Sequence, residues 1–355
     1  MIRHEGIVVR RGRRSGATVI MAVHSTVLGP AIGGCRVRHY PSWQAGLDDA
    51  VRLSEAMTWK ASIAGLDHGG GKTVVVLPAG SAPWRSLLED VSDALASMGG
   101  TYLTGPDIGT GPDDMQFLFD RTGFAFCRPV ARGGSGDSGP ATADGVLAAL
   151  RAGAAHVFGD GALEGLRIGI IGLGSVGLRL AESLGGAELI VADVDEARRA
   201  DASRLGAQWA SPETLLKSDL DVLIPAAVGG VLTSTLAAEL SARLVVGPAN
   251  NQLADDRVAD QLRDRGITWI PDFLASAGGV IHAIGIERHG LDEKAVRPLV
   301  DSIGTTVSEV LSEAARAGRT PLAVTHARAA ARMASHGETA TQARHAVSDT
   351  CYSTN

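Results

Sequence analysis

With 355 residues the chain is long enough for two domains with separate cores, and its formal net charge of −6 argues against nucleic acid or an anionic membrane as the main partner, since both demand a basic face. Three cysteines without a CxxC pair and ten scattered histidines without an HExxH or Cys/His cluster exclude a disulfide scaffold and leave no metal constellation. No apolar run approaches the ~18 residues of a membrane span, and the start has no signal-peptide core, so the protein is expected in the reducing cytoplasm.

Residues 6–9 and 17–24 are predicted strands of a hairpin, with Arg10-Arg11-Gly12-Arg13-Arg14 as its solvated turn. The glycine-rich stretch 29–36 is predicted as a bend. From Ser42 to Ala61 the apolar residues Trp43, Leu47, Ala50, Leu53 and Met57 recur at helical spacing; Ser42 is the expected N-cap and Lys60 falls near the C-terminus. Residues 73–77, four β-branched side chains and a leucine, form a strand. Ser81 and Pro83 open a helix that Gly99-Gly100 closes, and 101–104 is a short strand.

Around 131–140 the chain turns to glycine and serine, which marks a hinge or cleft lining. A helix from Ala141 follows, then strands at 167–171, 189–192, 221–224, 244–246 and 268–270, with a helix at 175–184. Strands alternating with helices imply a doubly wound parallel sheet. A long amphipathic helix is predicted within 291–318. Another runs from Thr320-Pro321 to about His336-Gly337, followed by a disordered tail at 341–355.

Two features carry chemistry. Lys60 and Lys72 stand twelve positions apart, the second directly after Gly69-Gly70-Gly71. Glycines without Cβ let backbone and ligand approach closely, and two neighbouring ammonium groups repel, which favours a lysine acting as general acid or base. The run mimics the end of a P-loop, but Leu66 stands where that motif needs glycine and β-branched residues follow the lysine. The second feature is Gly172-Leu173-Gly174-Ser175-Val176-Gly177 between a strand and a helix. Gly172 makes the turn, Gly174 admits a pyrophosphate to the helix N-terminus, and Gly177 packs helix on strand. Asp193 ends the next strand, 21 positions after Gly172, where a carboxylate binds a ribose 2′-hydroxyl and repels a 2′-phosphate. NAD is therefore the expected cofactor, with Arg198 and Arg199 as groups that could rescue a phosphate.

Together with Leu28-Gly29-Pro30-Ala31-Ile32-Gly33-Gly34-Cys35-Arg36, Met57-Thr58-Trp59-Lys60, Thr104-Gly105-Pro106-Asp107, Ala249-Asn250-Asn251 and Pro271-Asp272-Phe273, these motifs resemble the Glu/Leu/Phe/Val dehydrogenases over about residues 1–335. The resemblance implies NAD-dependent, reversible oxidative deamination of an L-amino acid to a 2-oxo acid and ammonia. It makes Lys72 the catalytic lysine and Asp107 the proton shuttle. Lys60 would bind the substrate carboxylate with help from Gly33, Gly34 and Asn251. Thr142, Ala226 and Asn250 would lie near the nicotinamide, and Ile32, Gly105, Val280 and Ala283 would line the side-chain pocket. Ser276, Pro248 and Ala226 depart from the family's usual residues. Small residues at 105 and 283 favour an aromatic substrate, phenylalanine first and tryptophan next; valine or leucine is the alternative, and a non-catalytic NAD-binding sensor the rival from another class.

The expected architecture is two α/β domains around a cleft. Residues 1–138 would bind substrate and oligomerise, and residues 139–320 would form the Rossmann-type NAD domain. A C-terminal helix, about 321–340, would return to the first. The short lead before the first strand suggests a homodimer.

Overall fold

Apolar alternation and β-branched runs gather the first hundred residues into one sheet. In the computed structural model, residues 4–80 and 83–352 are described, with side chains up to 337. The chain divides into two compact units, one ending at Asp137 and resuming at His326, the other Ser138–Thr325.

In the first unit, strand β1 (Gly6–Arg11) pairs antiparallel with β2 (Thr18–Ser25), Gly6 opposite Val23 and Arg11 opposite Thr18. Three further strands, β3 (Ala31–Arg38), β4 (Gly69–Val76) and β5 (Tyr102–Pro106), complete a five-stranded sheet of order β1-β2-β4-β3-β5. Helix α1 (Trp43–Ile63) packs on β4 and β2, with the Ser42 hydroxyl accepting from the Ala45 N–H at 3.2 Å. Helices α2 (Trp84–Ala96) and α3 (Pro112–Thr122) contribute Leu87, Val91, Met115 and Leu118 to a core beneath β2, β3 and β4. The proposed cap Ser81 lies outside the described residues.

Two stretches of this unit differ from their sequence patterns. The supposed bend at 29–36 is strand β3, and the Gly69-Gly70-Gly71 run is the first half of β4, buried along its whole length. A Cβ at Gly69 would lie 1.7 Å from the Ser25 carbonyl oxygen, at Gly70 2.1 Å from the Thr58 nitrogen, and at Gly71 2.5 Å from the Tyr102 ring. The three glycines therefore let β4 pass close beneath α1 and beside β2; they do not form a loop around a ligand.

The second unit opens with helix α4 (Gly139–Phe158) and builds its sheet from β6 (Arg167–Ile171), β7 (Glu188–Ala192), β8 (Gln208–Trp209), β9 (Val222–Pro225), β10 (Leu244–Val245) and β11 (Thr268–Trp269). All pairings are parallel, in the order β8-β7-β6-β9-β10-β11. In chain order within the unit this is 3-2-1-4-5-6, the arrangement of dinucleotide-binding sheets, with the switch point between β6 and β9. Helix α5 (Ser175–Ser183) follows β6 directly. A helix that the sequence pattern missed, Gly278–Glu287, opens on two glycines, which read as breakers. A Cβ at Gly278 would lie 2.0 Å from the Ala141 carbonyl oxygen and one at Gly279 2.5 Å from the Thr142 hydroxyl, so the glycines instead permit close packing on α4.

Helix Glu293–Ala317 follows, and the last helix, Pro321–Tyr352, runs past its expected end near His336-Gly337 and through most of the supposed disordered tail. No glycine or proline interrupts the sequence after Gly337, so nothing local stops the helix. It joins the first unit through Ala329, whose carbonyl accepts from the Ser62 hydroxyl at 2.9 Å, and Arg332, which donates to the Leu66 carbonyl at 2.8 Å.

Candidate active site

In the first unit, Lys72 is on β4 and Asp107 immediately follows β5, the strands on either side of β3. Their side chains meet across β3 as an ion pair between Nζ and Oδ2. Gly34 is the β3 residue between them. A Cβ there would lie 2.8 Å from Asp107 Cβ, 2.9 Å from the Pro106 carbonyl oxygen and 3.1 Å from Lys72 Nζ, so the glycine makes room both for the pair and for the end of β5. Gly33 instead makes room for the neighbouring strand, since its Cβ would stand 1.8 Å from the Gly71 carbonyl oxygen on β4.

The pair is well packed, Lys72 being 6% exposed. Asp107 is fixed by the Ile108 N–H, which donates to Oδ1 at 2.8 Å, while Thr110 Oγ1 bridges the Asp107 N–H and the Cys35 carbonyl. Burial opposes ionisation of Asp107, but Lys72 and then Arg36 outweigh it and hold the carboxyl far below the usual range. Burial pushes the neighbouring Cys35 thiol up to about 12, which leaves it inert as a nucleophile.

The group on the Lys72 ammonium is a carboxylate with a second cation on it. Arg36 Nε donates to Asp107 Oδ2 at 3.1 Å, and its other arm reaches Asp49 Oδ2 at 2.9 Å. Arg36 was visible in the Gly33-Gly34-Cys35-Arg36 motif but had no assigned role. Lys60 sits in the last turn of α1 and is buried. His68 is a packing histidine, its Nδ1 donating to the Pro30 carbonyl at 2.9 Å.

Of the residues named for the side-chain pocket, all are shielded from solvent to some degree. Ile32 and Ala283 are fully buried, and Val280 is half-buried. A Cβ at Gly105 would lie 2.6 Å from the Phe126 ring, so the space this glycine vacates is filled by the protein itself.

In the second unit, Gly172 turns the chain at φ +102°, and a Cβ at Gly177 would lie 1.9 Å from the Gly172 carbonyl oxygen. Gly174 and Ser175 are exposed at the start of α5 beside half-buried Val176. Gly174 makes no side-chain cap, and a Cβ there would meet nothing within 4 Å. The N-terminus of α5 thus has no side-chain cap and an open flank at Gly174, which fits a dinucleotide pyrophosphate. Asp193 accepts from the Leu173 N–H at 2.7 Å and the Asp195 N–H at 2.9 Å, which ties it beneath the glycine loop. Arg198 lies 3.4 Å from Asp201, and Arg199 3.1 Å from Glu196.

Ala226 packs near Gly177, and the Thr142 hydroxyl donates to the Ser138 carbonyl at 2.8 Å. A Cβ at Gly229 would lie 2.5 Å from the Asn250 carbonyl oxygen. Asn251 adopts φ +53°, a conformation asparagine tolerates better than most residues; its N–H donates to buried Asp272 Oδ2 at 2.8 Å and its carbonyl accepts from the Gly230 N–H at 2.7 Å. Asp272 was in view but unassigned: it holds the Asn250-Asn251 turn. Ser276 donates to the Asp272 carbonyl at 2.6 Å, a bond along its own helix. Among the described residues, no group of three or more His, Cys, Asp or Glu side chains could hold a metal ion.

A buried lysine–carboxylate pair on one unit and a dinucleotide-type loop and sheet on the other define a nicotinamide-dependent dehydrogenase. The model of the Glu/Leu/Phe/Val dehydrogenase dimerisation domain matches residues 5–123, and that of the Glutamate/Leucine/Phenylalanine/Valine dehydrogenase matches 188–335. The valine dehydrogenase of Streptomyces virginiae is 36% identical over 90% of this chain and 91% of its own. The phenylalanine dehydrogenase of Lysinibacillus sphaericus is also 36% identical, over 88% of this chain and 84% of its own. The crystal structure of L-tryptophan dehydrogenase from Nostoc punctiforme superimposes with a TM-score of 0.77 at 30% identity, covering 95% of this chain and 98% of that one. The chain belongs to the Glu/Leu/Phe/Val dehydrogenase family and is an amino-acid dehydrogenase.

Proposed function

We propose that the protein catalyses the NAD-dependent, reversible oxidative deamination of an apolar L-amino acid to its 2-oxo acid and ammonia. The observation that carries this reading is the buried Lys72–Asp107 pair closing over Gly34. Lys60, with the Gly33-Gly34 backbone and Asn251, binds the substrate carboxylate. Asp107, held ionised by its two cations, takes a proton from the substrate amino group. Hydride acceptance from Cα is the chemistry NAD supplies when bound. Lys72, once it has released its ammonium proton to solvent and left Arg36 as the cation on Asp107, takes a proton from the water that adds to the resulting iminium carbon; Asp107 returns its proton to nitrogen as ammonia departs and receives the hydroxyl proton as the carbonyl forms.

Residues 172–177 cradle the pyrophosphate, Asp193 meets the adenosine ribose, and Thr142, Ala226 and Asn250 flank the nicotinamide. NAD is the cofactor because Asp193 repels a 2′-phosphate while Arg198 and Arg199 are engaged with carboxylates. Fluorescence titration should show NADH binding at least about tenfold more tightly than NADPH. Equal affinity would remove the NAD assignment.

Branched-chain substrates lead, because Phe126 fills the space that Gly105 was expected to leave for an aromatic ring. An aromatic substrate is the second reading, supported by the small side chain of Ala283 and by relatives named for phenylalanine and tryptophan. Initial rates of NADH formation across valine, leucine, isoleucine, phenylalanine, tryptophan, tyrosine and glutamate decide the matter. The expected result is a kcat/KM for valine or leucine about tenfold above phenylalanine, the scale a pocket difference of one or two methylenes supports. The reverse order selects the second reading. No turnover of any amino acid would leave an NAD-binding sensor. We infer a homodimer built on the first unit, as the matched dimerisation domain suggests, with light scattering as its check.

A further inference from the structure

Asp107 Oδ2 carries two cations, and the one on β3 is itself anchored. Arg36 sits between two carboxylates, Nε on Asp107 at 3.1 Å and NH1 on Asp49 at 2.9 Å. Asp49 is in turn fixed on α1 by the Tyr40 hydroxyl at 2.6 Å and by Arg52 at 2.9 Å. All three central side chains are largely enclosed, at 10% exposure for Arg36, 11% for Asp49 and 16% for Asp107. Such a chain of ion pairs is a buried network in which every member depends on its neighbours.

We propose that Arg36 is a positioning residue for the reaction: anchored by Asp49 and Tyr40, it shares the Asp107 oxygen with Lys72 and sets the pH at which the Lys72–Asp107 pair becomes competent. The inference rests on the reading of that pair as the acid–base machinery. A guanidinium keeps its proton throughout the cycle, and its planar fork can serve two carboxylates at once, which an ammonium on a flexible stem does less well. When the lysine side of the pair is neutral, Asp107 is still neutralised by Arg36, so nothing compels the carboxylate to take up the proton in its place. The fixed guanidinium charge, acting through the shared oxygen, also opposes a second positive charge beside it.

Cys35 on β3 is the titratable neighbour that feels both Lys72 and Asp107; Asp114 on α3 and Tyr102 on β5 lie next to Cys35. The buried thiol and phenol stay protonated across the working range, and Asp114 accepts from the Gly111 N–H and the Trp84 indole. Asp49 stays ionised: burial opposes this, but Tyr40, Arg52 and Arg36 hold its carboxyl below the usual range.

The test is kcat/KM against pH for the full-length wild type, Arg36→Gln, Arg36→Lys and Asp49→Asn, with NAD and the best-turned-over amino acid. The substrate's own amine titrates equally in all four, so differences in the acidic limb report the enzyme. Arg36→Gln should move that limb up by about one pH unit, because Lys72 becomes the only cation on Asp107. Arg36→Lys keeps a charge and should leave the limb within a few tenths of a unit while lowering kcat. Asp49→Asn, which removes the counter-charge behind Arg36, should move the limb down by a smaller amount.

Opposite signs for the Arg36→Gln and Asp49→Asn shifts are not what loss of a structural tie would produce. An unmoved limb in folded Arg36→Gln, or equal shifts in Arg36→Gln and Arg36→Lys, would overturn the proposal. Should Arg36→Gln fail to fold, Asp49→Asn decides alone: a downward limb supports it and an unmoved limb ends it. Lys72→Ala separates the two levels, since its retained turnover would remove the acid–base reading and this inference together. An inactive Lys72→Ala with unmoved limbs elsewhere would remove this inference only.

Discussion

Lys72→Ala is expected to lose about 10³-fold in kcat, the usual scale for a positioned acid–base group, or roughly 4 kcal/mol of barrier. The variant should still fold. Removing a buried cation normally strands its carboxylate at high cost, but Asp107 keeps Arg36 at 3.1 Å and the Ile108 N–H at 2.8 Å. Binding of NADH should stay within about a factor of two, because residues 172–177 and Asp193 belong to the other unit. Stopped assays with the preferred amino acid, paired with NADH fluorescence titration, separate the two readouts. Turnover within tenfold of wild type would contradict the role given to Lys72.

Adjacent glycines on β3 should fail in different ways. Gly33→Ala puts a methyl 1.8 Å from the Gly71 carbonyl oxygen, and that oxygen belongs to a strand buried on both sides. Backbone cannot move aside cheaply in a packed sheet, so the cost should be about 3 kcal/mol or more in stability. Gly34→Ala instead meets Asp107 Cβ at 2.8 Å, the Pro106 carbonyl oxygen at 2.9 Å and Lys72 Nζ at 3.1 Å, none of them as close as the 1.8 Å contact at Gly33. Its stability loss should be the smaller of the two, and its activity loss about a hundredfold, since the pair must spread to admit the methyl. Denaturant melts and kcat measured on both variants test the contrast. Equal stability losses with equal residual activity would show that Gly34 shapes the sheet and not the pair.

Legibility in the sequence followed the range of the interactions. Ser42 caps α1 because its hydroxyl reaches an amide three residues on, and that relation is written locally. Residues 167–193 read correctly because strand, glycine turn, helix and acidic strand end succeed one another in short order. Strand β8 escaped notice while the equally short β10 and β11 did not, because Gln208-Trp209 lacks the apolar and β-branched run of 244–246 and 268–270. The helix Gly278–Glu287 was hidden by glycines whose purpose is the α4 backbone more than a hundred residues earlier.

The candidate site divides along the same line. Lys60, Lys72, Asp107, the glycine loop and Asp193 could all be named from motif and spacing. That Lys72 meets Asp107 could not be derived from spacing, because it depends on β3 running between β4 and β5. Arg36 and Asp49 belong to that same sheet and its covering helix.

Sequence by itself determined the hairpin, the capped helix α1, the dinucleotide loop with its acidic partner, and the list of ionisable groups available for chemistry. These are properties of neighbouring residues, set by periodicity, capping and turn geometry. Only the tertiary structure decided that three consecutive glycines are strand, that Phe126 occupies the space beside Gly105, and that one carboxylate serves both Lys72 and Arg36. A missing side chain carries no local sign of what will fill its place, and an ion pair across a central strand exists only once the sheet order is set.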